Sequence, residues 1–384
     1  MRGHIRERSP GRWAIIIDLR DPVTGRRRRK WHSFKGTKRA AQIECARLIS
    51  ERQGGSYIEP AKLTLRQYLE KWLTFKQPNV SPRTFERYSE LALKNIVPLL
   101  GNVMLTKLQP IQISEAYAEA VKKGRRKGKG GLSPRTVHHM HRVLRQALAQ
   151  AVRWNMLVRN PCDLLVKEDR PKIERKPVAV IDAEATMQML EAARESRWFV
   201  PMLLAALCGM RRGEIAALRW VNVKFDQGQI TIAHSVEQTK AGCREKETKG
   251  SRCRTVAMPG LLVEELKAWR ATQAQELLRL GIRPDGGTRV VTKADGESPT
   301  PQSLTDMTSR FMKERRSAVR LHGLRHSHAS HLLAENVHPK VVQERLGHYS
   351  IAITMDIYSH LTPNMQADAA ARLDTALRAA KKPM

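Results

Sequence analysis

Between Leu321 and Leu361 the chain gathers several reactive or charge-bearing side chains in one short segment, LHGLRHSHASHLLAENVHPKVVQERLGHYSIAITMDIYSHL. His322 and Arg325 form an H-x-x-R pair, His348 closes Leu346-Gly347-His348, and Tyr358 stands ten residues further on. Two imidazoles, a guanidinium and a phenol are the groups that phosphoryl transfer through a tyrosine needs. The guanidinium offers a fork of N–H donors to phosphate oxygens, and the phenol is a nucleophile once its proton is taken. A phenol with a pKa of about 10 is mostly protonated at neutral pH, so a neighbouring imidazole has work as the acceptor. Any one of these histidines alone reads as an ordinary surface or core residue. The order and spacing of the whole set carry the reading. His326, His328 and His331 share the predicted helix with Arg325 and are read as supporting it.

A second guanidinium stands far upstream, in Gly209-Met210-Arg211-Arg212-Gly213-Glu214. The apolar run Trp198 to Cys208 predicts a buried helix ended by Gly209, and a tight turn into the next helix would present Arg211 from a rigid base. Glu214 is close enough in sequence to orient or neutralise a guanidinium. Between the two motifs, Asp226-Gln227-Gly228 signals a hairpin within Val223 to His234, and Val236 to Met258 reads as a continuation of that sheet through a basic loop.

In this order and spacing the motifs resemble the catalytic domain of the tyrosine recombinase (phage integrase) family. The resemblance implies a site made of Arg211, Lys249, His322, Arg325, His348 and Tyr358. Arg211 matches the first catalytic arginine in its G-x-R-x-x-E context. Lys249, in the hairpin Lys249-Gly250-Ser251-Arg252-Cys253-Arg254-Thr255-Val256, would contact DNA and protonate the leaving 5′-oxygen. Ala257 stands where the family often has proline, and Lys240 and Lys246 lie close by as alternative lysines. The implied reaction is attack of Tyr358 on a DNA phosphodiester, giving a 3′-phosphotyrosyl link and a free 5′-hydroxyl, with the bond energy conserved and no ATP required. Two guanidiniums supply fixed positive charge, so no metal or other cofactor is expected. Two rivals share parts of this pattern. One is a type IB topoisomerase-like relaxase, and the other is a non-catalytic DNA-binding regulator on the same fold, which has no need of Tyr358.

The elements that must position these groups follow from composition and period. The chain has 384 residues, with Lys+Arg 69 against Asp+Glu 37, a net charge of +32, and residues 1–177 hold +24 of it. Such a bias points to a polyanion, double-stranded DNA, gripped mainly by the N-terminal half. Five scattered cysteines form no C-x-x-C; a zinc site from His234, Cys243 and Cys253 is conceivable but lacks paired spacing. No apolar stretch is long enough to span a bilayer or reads as a signal peptide, so the cytoplasm is the expected compartment.

Residues 1–58 read as an arm-type DNA-binding module, with strands Trp13 to Leu19 and Arg28 to Phe34 joined by a turn at 21–25, then a helix Lys38 to Gln53. Residues 62–166 read as a helical core-binding domain with helix starts at Thr64, Ser81-Pro82 and Ser133-Pro134 and another helix from Pro110 to Lys123. Residues 167–178 are a charged, proline-broken linker, and 179–384 form the catalytic domain with a C-terminal amphipathic helix. The fold class expected is α+β multidomain: a small N-terminal β-sheet plus helix, an all-α core-binding domain, and a mainly α catalytic domain with a small antiparallel sheet. The resemblance further implies core and arm DNA sites, a homo-tetramer linked through the C-terminal helix, an accessory DNA-bending or directionality protein, and a prophage or other mobile element as the host of the gene.

Overall fold

The computed structural model describes residues 2–20, 27–53, 63–124, 130–174, 179–247, 253–317, 319–358, 370–371, 373–375 and 377–378. The chain divides into two compact units, Met1–Glu174 and Arg175–Met384.

The first unit opens with a three-stranded antiparallel sheet, β1 (Arg2–Ser9), β2 (Arg12–Arg20) and β3 (Arg27–Lys35), with β2 in the centre. Helix α1 (Lys38–Gln53) covers one face, where Ile15 and Ile17 meet Cys45 and Leu48. Two strands were expected, and β1 is the addition. Its only aliphatic side chain is Ile5, so it carries little hydrophobic period of its own and takes its conformation from pairing with β2. The turn at 21–26 lies outside the described residues.

The rest of this unit is helical. Helix α2 (Leu65–Lys76) starts in a capping box between Thr64 and Gln67, and α3 (Pro82–Leu91) starts with Ser81 accepting from the Thr84 amide. The chain runs on from α3 through a π-helical turn, Ala92–Ile96, into α4 (Val97–Leu100). In this turn the Val97 amide reaches back five residues to Ala92 O, and Pro98, which follows it, has no N–H to give Lys94. Helices α5 (Pro110–Lys123) and α6 (Pro134–Arg153) complete the bundle around Tyr68, Leu69, Trp72, Ile113, Tyr117 and Leu144. The basic stretch 125–129 lies outside the described residues.

The second unit is built around α8 (Phe199–Cys208), in which every residue but Leu207 is buried. It is preceded by α7 (Ala183–Ala193), whose N-cap Asp182 accepts from the Ala185 amide, and followed by the short α9 (Arg212–Ala217). The sheet expected as one continuous element is split. Strands β4 (Val223–Lys224), β5 (Gln229–Ile232) and β8 (Arg254–Ala257) form one antiparallel sheet, while β6 (His234–Thr239) and β7 (Gly242–Glu247) form a separate ribbon. Buried Ile230, Ile232 and Val256 hold the first sheet on the core, whereas β7 is exposed along nearly its whole length and, among the described residues, pairs only with β6.

Helix α10 (Gly260–Arg279) turns a polar residue inward, but buried Gln273 accepts from Trp220 Nε1 at 2.6 Å and donates to Thr292 Oγ1 at 2.9 Å, so no polar atom is stranded there. Helices α11 (Pro301–Glu314), α12 (Leu321–Ala334), α13 (Pro339–Leu346) and α14 (Ile351–Tyr358) follow. Among the described residues, no helix is long and apolar enough to cross a membrane. Of the C-terminal amphipathic stretch, only short helical pieces at 370–378 are described.

Candidate active site

Arg325 is 1% exposed and, among the described residues, has no carboxylate partner. Its guanidinium donates to Gly209 O and, at 2.6 Å, to Leu346 O. Both carbonyls end helices: Gly209 caps α8 and Leu346 is the last residue of α13, each closed by a left-handed glycine, Gly209 and Gly347, both at φ 61. Carbonyls at a helix C-terminus carry partial negative charge and lack partners within the helix. They therefore hold the cation without neutralising it. Burial and the nearby Arg211 push the Arg325 pKa down to about 9, still well above neutral, and the side chain stays charged.

Arg211 reaches the same turn from the other side. Its Nη2 donates to Gly347 O at 2.7 Å, and its Nη1 donates to Glu214 Oε1 at 2.8 Å. Glu214 is 2% exposed, and its Oε2 also accepts the Arg211 amide at 2.9 Å, capping α9. A third arginine, Arg254 at the start of β8, grips the same carboxylate at two points, Nη1 to Oε1 at 2.9 Å and Nη2 to Oε2 at 2.7 Å. Burial alone would raise the Glu214 pKa, but the hydrogen bonds and charge of Arg254, joined by Arg211, hold it down at about 2. Arg212 points away and donates to Thr305 Oγ1.

The histidines fall into two groups. His348 is buried, and its Nδ1 shares a hydrogen bond of 3.0 Å with Thr354 Oγ1, leaving Nε2 as the remaining polar atom of the ring. Burial, then Arg325 and Arg211, lower its pKa to about 3, so it is neutral at physiological pH. His322 stands edge-on to His326 with ring centroids 4.7 Å apart. Crowding by the protein lowers its pKa, and His326, Arg325, Arg211 and Arg212 act in the same direction. Its exposed surface lets water temper the burial effect, yet with these positive neighbours the ring is neutral at pH 7 and keeps a free lone pair.

His328 and His331 serve the scaffold. Arg345 Nε donates to His328 Nε2 at 3.0 Å, which fixes the proton on Nδ1, where it is given to Ala206 O at 2.8 Å. Arg345 Nη2 donates in turn to Leu207 O, and His331 Nε2 donates to Ile181 O at 2.9 Å. The last turn of α8 is thus satisfied by side chains from α12 and α13, which locks the helix carrying Arg325 to the turn carrying His348.

Four of the six residues singled out from sequence, Arg211, His322, Arg325 and His348, meet in this cluster. Lys249 lies outside the described residues. Of the alternatives, Lys246 on β7 is ion-paired to Glu237, and Lys240 sits in the turn between β6 and β7. Tyr358 is the last residue of α14, and its side chain lies outside the described part. Arg254 and Thr354 were not singled out from sequence. Arg254 reads there as one more basic residue of a strand, and Thr354 as an ordinary helix position. Among the described residues, no group of three or more His, Cys, Asp or Glu is arranged to hold a metal, and His234, Cys243 and Cys253 form none.

Two family models match the chain: the phage integrase family over residues 179–365 and the phage integrase N-terminal SAM-like domain over residues 64–120, together more than half of the sequence. The XerC-like tyrosine recombinase of Caldanaerobacter subterraneus subsp. tengcongensis is 26% identical over 361 residues, covering 88% of this chain and 90% of that protein. The ICEBs1 integrase of Bacillus subtilis is 26% identical over 366 residues, covering 93% and 95%. Among solved structures, the fold is similar to that of the Tn1549 transposon integrase in complex with a circular intermediate DNA, with a TM-score of 0.70 at 19% identity over 81% of this chain and 99% of that one. It is also similar to the lambda integrase dimer bound to a COC′ core site, with a TM-score of 0.56 at 17% identity over 92% and 93%. Similarity to integrases over nearly the whole length favours recombination over a relaxase or a non-catalytic regulator. The chain belongs to the phage integrase family and is a site-specific tyrosine recombinase, an enzyme that cleaves and rejoins DNA strands.

Proposed function

We propose that Arg211, Lys249, His322, Arg325, His348 and Tyr358 form the catalytic set. Tyr358 Oη attacks the phosphorus, the bond to the 5′-oxygen breaks, the phenolic proton passes to His322, and Lys249 gives a proton to the departing oxygen. Arg211, Arg325 and the Nε2–H of His348 receive the charge that develops on the non-bridging oxygens. A 5′-hydroxyl from another strand then reverses the step and releases the tyrosine. The observation that carries this reading is the convergence of the two arginines on adjacent carbonyls, Gly347 O and Leu346 O, immediately before His348. Three segments remote in sequence thereby face one point.

The same reading assigns residues 1–58 to arm-site binding, 62–166 to the core site, 167–178 to a linker and 179–384 to catalysis. The sheet offers suitable chemistry: Arg8 lies over the Trp31 ring at 5.5 Å, and Trp31 is 52% exposed. Double-stranded DNA is the substrate, and the mobile element is a prophage or an integrative or transposable element like those of the relatives. Assembly as a tetramer through the C-terminal helix, in the cytoplasm, completes the proposal; the lambda integrase tetramer bound to a Holliday junction is the supporting parallel.

The test is a nicked suicide duplex spanning the crossover site, mapped by sequencing recombination junctions. Wild type should accumulate a covalent adduct and Tyr358→Phe none. An adduct formed by the Phe variant would remove Tyr358 as nucleophile.

A further inference from the structure

Arg254 is outside the catalytic set, and its guanidinium is committed to the protein. Its side chain is 11% exposed and all three nitrogens are engaged: Nη1 and Nη2 on Glu214, and Nε on Arg345 O at 2.9 Å. Arg211, at 39% side-chain exposure, shares the same carboxylate but remains open to a ligand.

We propose that Arg254 is a positioning residue that occupies the Glu214 carboxylate, so that Arg211 keeps its positive charge for the scissile phosphate, while its Nε pins the turn that orients both catalytic arginines. The inference rests on the assignment of Arg211 and Arg325 to the phosphate.

The charge balance explains why a second arginine is needed. Glu214 has a structural task, since its Oε2 caps α9 and its Oε1 aims Arg211. A buried carboxylate paired with Arg211 alone would cancel the charge that the reaction uses. With Arg254 present the trio carries one net positive charge, and because Arg254 is committed and screened, that charge is expressed at Arg211. The grip is also geometric. Arg254 Nε holds Arg345 O, and the next two carbonyls along the chain are those of Leu346 and Gly347, which receive Arg325 and Arg211. Gly347 leaves room for this contact, because a Cβ there would lie 3.0 Å from Arg254 Nη1.

The experiment is a double-mutant cycle in the full chain, using Arg254→Gln, Glu214→Gln and the pair. It reads the single-turnover rate of adduct formation on the nicked suicide duplex at saturating protein, with duplex affinity measured by mobility shift. Arg254→Gln should slow cleavage by about 10- to 100-fold, a fraction of what loss of a direct donor costs, with affinity changed less than about 3-fold. The distinguishing result is the pair: removing the Glu214 charge should restore about 10-fold of the loss, since Arg211 is then no longer neutralised. A merely structural ion pair gives a double variant no faster than Arg254→Gln, and that outcome would overturn the proposal, as would wild-type cleavage by Arg254→Gln.

Thermal unfolding of each variant controls for folding. Should Arg254→Gln not fold, Arg254→Lys takes its place in the cycle, retaining a cation but not the two-point grip, with the same sign of interaction expected. Failure of the underlying assignment looks different: Arg211→Ala and Arg325→Ala would then cleave at wild-type rates, whatever Arg254 does.

Discussion

His348 Nδ1 and Thr354 Oγ1 lie 3.0 Å apart, and both residues are buried. Thr354 is on α14, one helical turn before Tyr358, so this bond joins the proposed phosphate-binding imidazole to the helix that bears the nucleophile. The proposed role of His348 requires the hydroxyl to donate to Nδ1, which puts the ring proton on Nε2.

Thr354→Val keeps the shape and deletes the hydroxyl, leaving Nδ1 unpaired in the protein interior. Adduct formation on the suicide duplex should fall by about tenfold or more, from a loss of about 1–3 kcal/mol at an unsatisfied buried group. Duplex affinity should hold, and Thr354→Ser should recover most of the rate. Equal rates for the Val and wild-type proteins would show that the bond has no part in cleavage.

Arg325 and Arg211 should separate when stability and cleavage are measured together. Each replaced by Ala loses one donor to the transition state, and single-turnover cleavage should drop by about 10²–10³ in both cases. Arg325→Ala also leaves the carbonyls of Gly209 and Leu346 without their partner inside the protein, a cost of about 1–3 kcal/mol. Arg211→Ala exposes no such pair, because Glu214 keeps Arg254, and its effect on stability should stay below about 1 kcal/mol. Chemical denaturation of the two variants checks the contrast, and equal destabilisation would refute it.

Much of this arrangement could be read before any coordinates, and the reason is locality. The caps at Thr64, Ser81 and Ser133 involve groups within one turn of the chain, and each forms at the residue expected. Gly209 as helix stop and Arg211 beside Glu214 are likewise short-range. What could not be read depends on distant partners. Strand β1 is defined by its neighbour and not by its own period, and the Arg254 grip on Glu214 spans two elements that only the fold brings together. His328 and Arg345 show the same limit. Alone, each is a polar residue on a helix, and only as a pair do they tie α12 and α13 to the end of α8.

The buried histidines should make the protein acid-sensitive. His328 and His348 each have a pKa lowered to about 3, by burial first, then by Arg345 at His328 and by Arg325 and Arg211 at His348. Unfolded, each titrates near the ordinary value of 6.5. Below that pH the unfolded chain binds protons that the folded chain refuses, so stability is complete above 6.5 and is lost as pH falls toward 3. By pH 5 each group withdraws about 2 kcal/mol. Urea unfolding at pH 7.5 and pH 5 should therefore show a clear drop in midpoint, and replacing His328 by Gln should flatten it. An unchanged pH slope in that variant would exclude His328 as a source.

Gly347 offers the most direct test of the turn on which both arginines hang. At φ 61 it occupies the left-handed region, where a side chain costs about 1 kcal/mol, and a Cβ would also stand 3.0–3.3 Å from Arg254 Nη1, Cδ and Cζ. Gly281, at φ 73 after α10, has the same backbone strain with nothing among the described residues within 4 Å of a Cβ. Ala at either position should therefore lower the melting temperature by a few degrees. Only Gly347→Ala should also slow adduct formation, by about tenfold or more, because either the Arg254 guanidinium or the carbonyls of Leu346 and Gly347 must shift to admit the methyl group. Were the two variants to cleave alike, backbone strain alone would account for the glycine, and the orientation of Arg211 and Arg325 would have to be credited to other contacts.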